Sequence, residues 1–368
     1  MIKDTKTINM NSVTVKYNGN IVGYLRQFMD HIAFQYDEEW IKNGFSISPF
    51  SLPLNNEVYS SKSEYFNGLF GVFNDSLPDG WGELLVRRML AKKGLNFDKL
   101  SPLTRLTLIS GNGLGGLTYE PSAILYNENE NFDLDTLAKE VQAILDDTTE
   151  PIDFDKIVGL GGSSGGARPK AHIKINNENW IVKFASTIDP KNIGELEFKA
   201  NEFAQKSDIN VNEFKLFPSK ICSGYFGAKR FDRDKNKKIH MISLSALLET
   251  THRIPNLDYA HLFQVIQKIC VDQEDLYEAY RRMCFNVLYQ NKDDHGKNFS
   301  FLYDENLKGY KLSPAYDITK TPNKFEHEMT VLGNGKPAEK DLLEFAEHFK
   351  LSITKCENII NNIKKVIK

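Results

Sequence analysis

Asn291-Lys-Asp-Asp-His-Gly-Lys-Asn298 decides how this chain is read. It follows a long helical pattern, Glu274 to Tyr289, and precedes a short strand pattern, Asn298 to Leu302. Asp293 and Asn298 stand five positions apart on it. A carboxylate can take the proton of an attacking hydroxyl, and an amide oxygen can ligate a hard cation. Nineteen positions further on lies Leu312-Ser-Pro-Ala-Tyr-Asp317. Pro314 breaks any helix there, and Asp317 adds a second carboxylate that can face a metal. Taken alone, a polar turn or a capping Asp explains either motif more plainly.

Upstream, Ile157-Val-Gly-Leu-Gly-Gly-Ser-Ser-Gly-Gly-Ala-Arg-Pro-Lys170 is the most glycine-dense stretch. Glycines let a backbone approach a phosphate, and successive N–H groups can cradle it. No Gly-Lys-Ser/Thr closes this loop, so it is not a Walker A motif. Pro169 and the alternation after it lead into a strand, not into the helix of a dinucleotide fold. The expected phosphate contacts are Gly162, Ser163, Ser164, Gly165, Gly166 and Lys170. Two strands follow, Ala171 to Ile175 and Trp180 to Phe184. The second carries Lys183 among apolar neighbours, where a lysine calls for an anionic partner. Glu197, on the helix Glu195 to Lys206, can supply a carboxylate. Glycine loop, strand lysine, helix glutamate, Asp/Asn loop and a final Asp form the order of a protein kinase. That order is harder to produce by chance than any one motif. The expected fold class is α+β, a bilobed protein-kinase-like fold.

The first third reads as a small β-rich lobe. Val13, Val15 and Tyr17 alternate with polar residues, and Asn18-Gly19 suits a tight hairpin turn. Pro78-Asp79-Gly80 is a turn signal, followed by a helix from Trp81 to Lys93 that Gly94 stops. A loop from Ser110 to Gly116 carries four glycines in seven residues. The resulting division is 1–125, a β-rich lobe; 126–235, glycine loop, strands and hinge; and 236–368, a helical lobe. With 46 Lys plus Arg against 49 Asp plus Glu, the net charge is −3, which argues against gripping nucleic acid by bulk charge. There is no apolar run of about 18 residues and no apolar core of a signal peptide near Met1. The four cysteines form no CxxC pair, so a reducing cytoplasm is expected.

These motifs together resemble the HipA family of toxin kinases over nearly the whole length. Val15-Lys-Tyr-Asn-Gly-Asn-Ile-Val-Gly23, Phe34-Gln-Tyr-Asp-Glu-Glu-Trp40, Ser51-Leu-Pro-Leu54 and Phe73-Asn-Asp-Ser-Leu-Pro-Asp-Gly80 look like that family's N-terminal domain. Gly165-Gly-Ala-Arg-Pro-Lys170, Lys229-Arg-Phe-Asp-Arg233, Asp293-Asp-His-Gly-Lys-Asn298 and Tyr316-Asp317 follow its kinase signatures. The resemblance implies a cytoplasmic Ser/Thr kinase using ATP and Mg²⁺. It also implies a HipB-like helix-turn-helix antitoxin that contacts operator DNA, so that this chain meets DNA only indirectly. The implied protein substrate is a translation component such as an aminoacyl-tRNA synthetase. Carried over, Asp293 is the catalytic base and Asn298 and Asp317 ligate Mg²⁺. Lys183 holds ATP phosphates, and Lys229, Arg230 and Phe231 form the hinge. His295 stands where ordinary kinases keep a lysine facing the γ-phosphate, as a polar contact or a structural histidine. The glycine loop departs from the family by its extra glycines and its serine pair, Ser163 and Ser164, either of which can be the autophosphorylation site. Two rival readings are a catalytically weak kinase-like partner of an antitoxin–DNA complex and a small-molecule kinase. The presence of Asp293, Asn298 and Asp317 speaks against the first, and the full N-terminal lobe against the second.

Overall fold

The computed structural model describes residues 9–29, 31–61, 63–109, 113–122, 133–147, 154–162, 165–235 and 237–368. The chain forms two compact units. The first takes Met1–Glu195, Lys215–Ile242 and Ala246–Thr250; the second takes Leu196–Phe214, Ser243–Ser245 and Thr251–Lys368. The expected border at 125–126 and one side of that at 235–236 lie outside the described residues. Helix and sheet are mixed throughout, and the fold is the α+β, bilobed kinase-like class expected above.

The first unit opens with an antiparallel sheet of β1 (Ser12–Tyr17), β2 (Asn20–Phe28), β3 (His31–Tyr36), β4 (Val58–Ser60) and β5 (Leu117–Glu120), in the order β4-β3-β2-β1-β5. Val13, Val15 and Tyr17 point inward from β1, as their alternation requires. Asn18 and Gly19 both have positive φ, 46° and 87°, which a two-residue hairpin of the primed type needs. Helix α1 (Gly80–Lys92) then buries Trp81, Leu85, Val86, Met89 and Leu90. Those side chains enter one core with α2 (Leu134–Asp146), α3 (Phe154–Gly161), β6 (Lys170–Ile175) and β7 (Glu178–Lys183). Helix α4 (Ile193–Lys206) follows. The sheet is completed by β8 (Phe214–Phe217) and β9 (Tyr225–Lys229), in the order β6-β7-β9-β8.

One expectation is corrected here. Its glycine content makes the stretch from Ile157 onward an expected loop, but Ile157 to Gly161 are helical, within α3. Burial of Phe154, Ile157, Val158 and Leu160 outweighs the low helix propensity of Gly159 and Gly161. Gly161 also has a packing reason: a Cβ there would lie 2.8 Å from Trp81 Nε1. The strand expected from Asn298 likewise starts later, because Gly296–Asn298 make a 3-10 turn first.

The turn before α1 reaches the glycine segment. Asp79 accepts from the Gly166 N–H, Trp81 N donates to Gly166 O at 3.0 Å, and Trp81 Nε1 donates to Lys170 O at 3.2 Å. Gly80 has φ +47°, and a Cβ on it would stand 2.4 Å from Gly166 O. Gly80→Ala is therefore expected to lower stability by roughly 1–3 kcal/mol through its backbone conformation alone, with the clash adding to that. Urea unfolding checks this, and an alanine variant as stable as the parent would refute the packing just described.

In the second unit, α5 (Tyr259–Ile269), α6 (Glu274–Tyr289), α7 (Glu339–His348) and α8 (Ile353–Val366) surround a common core. Leu262, Phe263, Ala279, Met283, Cys284, Phe345, Cys356 and Ile360 are all buried there. The rings of Phe263 and Phe345 meet edge to face at 4.8 Å. Strands β10 (Ser300–Asp304) and β11 (Gly309–Leu312) form an antiparallel pair after α6. All four cysteines are free thiols. Among the described residues, no helix is long and apolar enough to cross a membrane.

Candidate active site

The second unit holds the Asp/Asn loop between α6 and β10. Gln290 ends α6 in the left-handed conformation, φ 64°, with its N–H on Asn286 O. From there a buried polar chain fixes the loop. Asn291 Nδ2 donates to Asn286 Oδ1 at 3.0 Å, and Asn286 Nδ2 donates to the Tyr259 hydroxyl at 2.9 Å. Tyr259 donates to Asp294 Oδ2 at 2.7 Å, where His327 Nδ1 also lies at 2.8 Å. The Glu328 N–H donates to Asp294 Oδ1 at 2.9 Å. Burial, together with the Asp294 carboxylate, pushes the Tyr259 hydroxyl well above its ordinary pKa, so it stays a donor. Asp294 is thus an anchor with every oxygen engaged, and its neighbour Asp293 points outward, with its side chain about one third exposed (37%).

Asn298 Nδ2 donates to the backbone oxygen of Asp293 at 2.8 Å, which ties the two ends of the loop and leaves the amide oxygen as an acceptor. Asp317 sits in the left-handed conformation, φ 58°. The preceding Tyr316 pins that segment to the loop: its hydroxyl donates to Lys297 O at 2.5 Å and meets Ser300 Oγ at 2.6 Å. His295 is tilted against His252, ring centroids 5.1 Å apart. Its Nδ1 is buried without a hydrogen-bond partner among the described residues.

In the first unit, Lys170 and Lys183 are directly paired across β6 and β7. Like charges opposed in this way repel unless an anion lies between or beside them. Lys170 Nζ donates to Gly165 O at 2.6 Å, and Lys183 Nζ lies 5.8 Å from the centre of the Phe226 ring. Gly166 has φ +82°, and Gly162 closes the end of α3 with its N–H on Val158 O at 2.7 Å. Ser163 and Ser164 lie outside the described residues.

The three hinge residues differ in what they can offer. Lys229 Nζ is paired with Glu178. Phe231 is half-buried. Arg230 is built into the interior. Its N–H goes to Asn179 O at 2.8 Å, and its guanidinium binds both oxygens of Asp232, Gly113 O at 2.7 Å and His172 Nδ1 at 3.2 Å. Arg233 also binds Asp232 Oδ2, Gly113 O and Gly115 O, and the Gly115 N–H donates to Asp232 Oδ2 at 2.7 Å. The glycines at 113 and 115 thus face a buried charged cluster, with their backbone groups as its ligands.

Sequence reasoning missed Asp294, His327 and Lys324. The only signal for Asp294 is its adjacency to Asp293: a second carboxylate on the same short loop can serve as an anchor. Lys324 carried no signal: it lies 31 residues from Asp293, yet its Nζ stands 2.5 Å from Asp293 Oδ1.

Comparison with known proteins extends these observations. Residues 13–120 match the HipA N-terminal domain and residues 162–368 the HipA-like C-terminal domain. The Shewanella oneidensis HipA of a HipA, HipB and operator DNA complex superposes with a TM-score of 0.73 at 20% identity, covering 96% of this chain and 88% of that one. At that identity the likeness speaks for the fold. Among curated proteins, "Putative kinase Y4dM" of Sinorhizobium fredii is 28% identical over 175 residues, 44% of this chain and 42% of that protein. "Putative kinase Y4mE" of the same organism is 23% identical over 345 residues, 84% of this chain and 77% of that protein. The match to the first thus spans less than half of its length. Since the C-terminal match alone covers more than half of the residues and the N-terminal match precedes it in order, the chain belongs to the HipA family.

Proposed function

We propose that this chain is an ATP-dependent serine/threonine-protein kinase, acting as the toxin of a HipBA-like toxin–antitoxin pair. One observation carries the reading: Asp293 is turned outward on a loop that Asp294, Tyr259 and His327 hold rigid, with Asn298 tied to it. A general base needs this combination of a solvent-accessible carboxylate and a fixed backbone. In the transfer, the hydroxyl oxygen of the substrate bonds to the γ-phosphorus of ATP. Its proton passes to Asp293, and the β–γ bridging bond breaks to release ADP. In the first unit, Lys170, Lys183 and the N–H groups of the glycine segment would meet phosphate oxygens.

Asn298 and Asp317 fit Mg²⁺. Both supply hard oxygen donors, and this ion is commonly held by one or two protein oxygens plus substrate phosphates rather than by a full protein cage. When bound, it supplies charge neutralisation at the phosphates. The HipA–HipB–DNA complex of the structural relative supports a HipB-like antitoxin as partner, with this chain's DNA contact indirect, as its slightly acidic charge suggests. We extend the proposal to a translation component, such as an aminoacyl-tRNA synthetase, as substrate and to inhibitory autophosphorylation at Ser163 or Ser164. A phosphate on either serine adds about −1.5 to −2 of charge, which would oppose the binding of nucleotide phosphates.

The test is incubation of the protein with γ-labelled ATP, Mg²⁺ and a bacterial lysate, followed by mass spectrometry. The expected result is label on serine or threonine of one lysate protein and on the glycine segment, lost on chelation and in Asp317→Ala. Label on a small molecule, or none on any protein, would defeat the reading.

A further inference from the structure

A cation reaches the base from outside the Asp/Asn loop. Two positions after Asp293 stands His295, whose Nδ1 is buried without a partner among the described residues. Lys324 reaches in instead. Its Nζ lies 2.5 Å from Asp293 Oδ1 and 2.7 Å from Glu328 Oε1. Glu328 is itself held, because its N–H sits on the buried Asp294. Lys292 Nζ donates to Lys324 O at 2.8 Å, and Lys292 N donates to Thr321 Oγ1 at 2.7 Å, so the lysine's backbone is tied to the loop as well. This placement takes several contacts, and the Lys324 side chain still remains 38% exposed. An ion pair that open contributes little to folding. An ammonium has three donors. Asp293 and Glu328 take two of them, and the third can meet an oxygen of a phosphoryl group arriving at the base.

We propose that Lys324 is the catalytic cation of phosphoryl transfer in this chain, a γ-phosphate ligand supplied from beyond the catalytic loop; this rests on the kinase reading above. Before substrate enters, Lys324 neutralises Asp293. As the hydroxyl oxygen bonds to phosphorus, Asp293 takes the hydroxyl proton, and Lys324 hydrogen-bonds a non-bridging oxygen of the transferring group. The β–γ bridging bond then breaks, and its electron pair leaves with ADP. No redox partner is involved. A ligand of the γ-phosphate already binds it in the ground state and binds it more strongly in the transition state, so its loss falls on nucleotide preference and, more heavily, on kcat.

The experiment compares the parent, Lys324→Met, Lys324→Arg and Asp293→Asn as full chains. One measurement is label transfer from γ-labelled ATP in a bacterial lysate. The other is the ratio of affinities for a non-hydrolysable ATP analogue and for ADP. Lys324→Met is expected to lower transfer by roughly 10²–10³-fold. It should reduce the analogue-to-ADP preference about tenfold, because only the γ-phosphate distinguishes the two ligands. Its thermal midpoint should match the parent, and Lys324→Arg should restore part of both losses. Transfer at the parental rate in Lys324→Met, with Asp293→Asn inactive, would overturn the proposal and leave the kinase reading standing. Lost transfer with an unchanged affinity ratio would also overturn it, since Lys324 would then only support Asp293. A parent that labels nothing would remove the kinase reading and this proposal together.

Discussion

Asp293→Asn is expected to lower phosphoryl transfer by roughly 10²–10⁴-fold. The amide keeps the size and the loop geometry, but it cannot accept the substrate proton or hold the charge of Lys324. Folding should be spared. The side chain is partly exposed, and the loop is fixed by its buried neighbour, whose bonds to Tyr259, His327 and the Glu328 N–H do not involve Asp293. Nucleotide affinity should also hold, since the proposal turns this carboxylate toward the acceptor hydroxyl and not the nucleotide. Single-turnover transfer measured beside a nucleotide titration separates the two effects. A variant that transfers at the parental rate would place the base in another loop.

A different kind of loss is expected at Asp232. Replacing it with alanine should lower stability by about 3–5 kcal/mol, because Arg230 and Arg233 would remain buried without their counter-charge. All three side chains are nearly inaccessible, at 3%, 2% and 8% exposure respectively. Burial alone would raise the Asp232 carboxyl, but the two guanidinium groups and the Gly115 N–H outweigh it and hold the group well below the usual carboxylate range. A carboxylate lowered in this way contributes stability above the unfolded value, about 3.9, and that contribution fades as pH falls below it toward the folded value. The parent should therefore lose its advantage over Asp232→Ala progressively below about pH 4. Urea midpoints for both proteins at neutral pH and near pH 3 check this, and a constant gap would show that the cluster is not held by charge.

The sequence was most legible where a local pattern and the final packing agree. Glu274 to Tyr289 forms a helix with the limits its periodicity suggests, and Asn18-Gly19 turns as its residue types require. It was least legible where tertiary contacts override composition. Ile157 to Gly161 looks like loop by glycine content but is helix, because Trp81 packs against Gly161 and Ile157, Val158 and Leu160 are buried. The candidate site divides in the same way. Asp293 and Asn298 are visible as a spacing within one loop, and their mutual hydrogen bond is local. Lys324 and His327 are distant in sequence and reach the loop only after the chain folds back. The resemblance gives Arg230 a hinge role, and nothing in Lys229-Arg-Phe-Asp-Arg233 announces that its guanidinium will bind Asp232 and Gly113 O inside the fold.

The arrangement of α6 and α8 gives the molecule an order in time. The loop bearing Asp293 begins where α6 ends, and α6 is steadied by α8: Ser352 N, just ahead of α8, reaches the Tyr277 hydroxyl at 3.2 Å, and Lys355 pairs with Glu274 at 3.1 Å. A ribosome makes the loop first and this support later. Domains generally form as units during synthesis, so the growing chain can assemble most of its glycine-bearing unit while Asp293 still lacks its scaffold. On the proposed function, the nascent chain would then be inactive for part of its own translation, an interval available to a partner made alongside it.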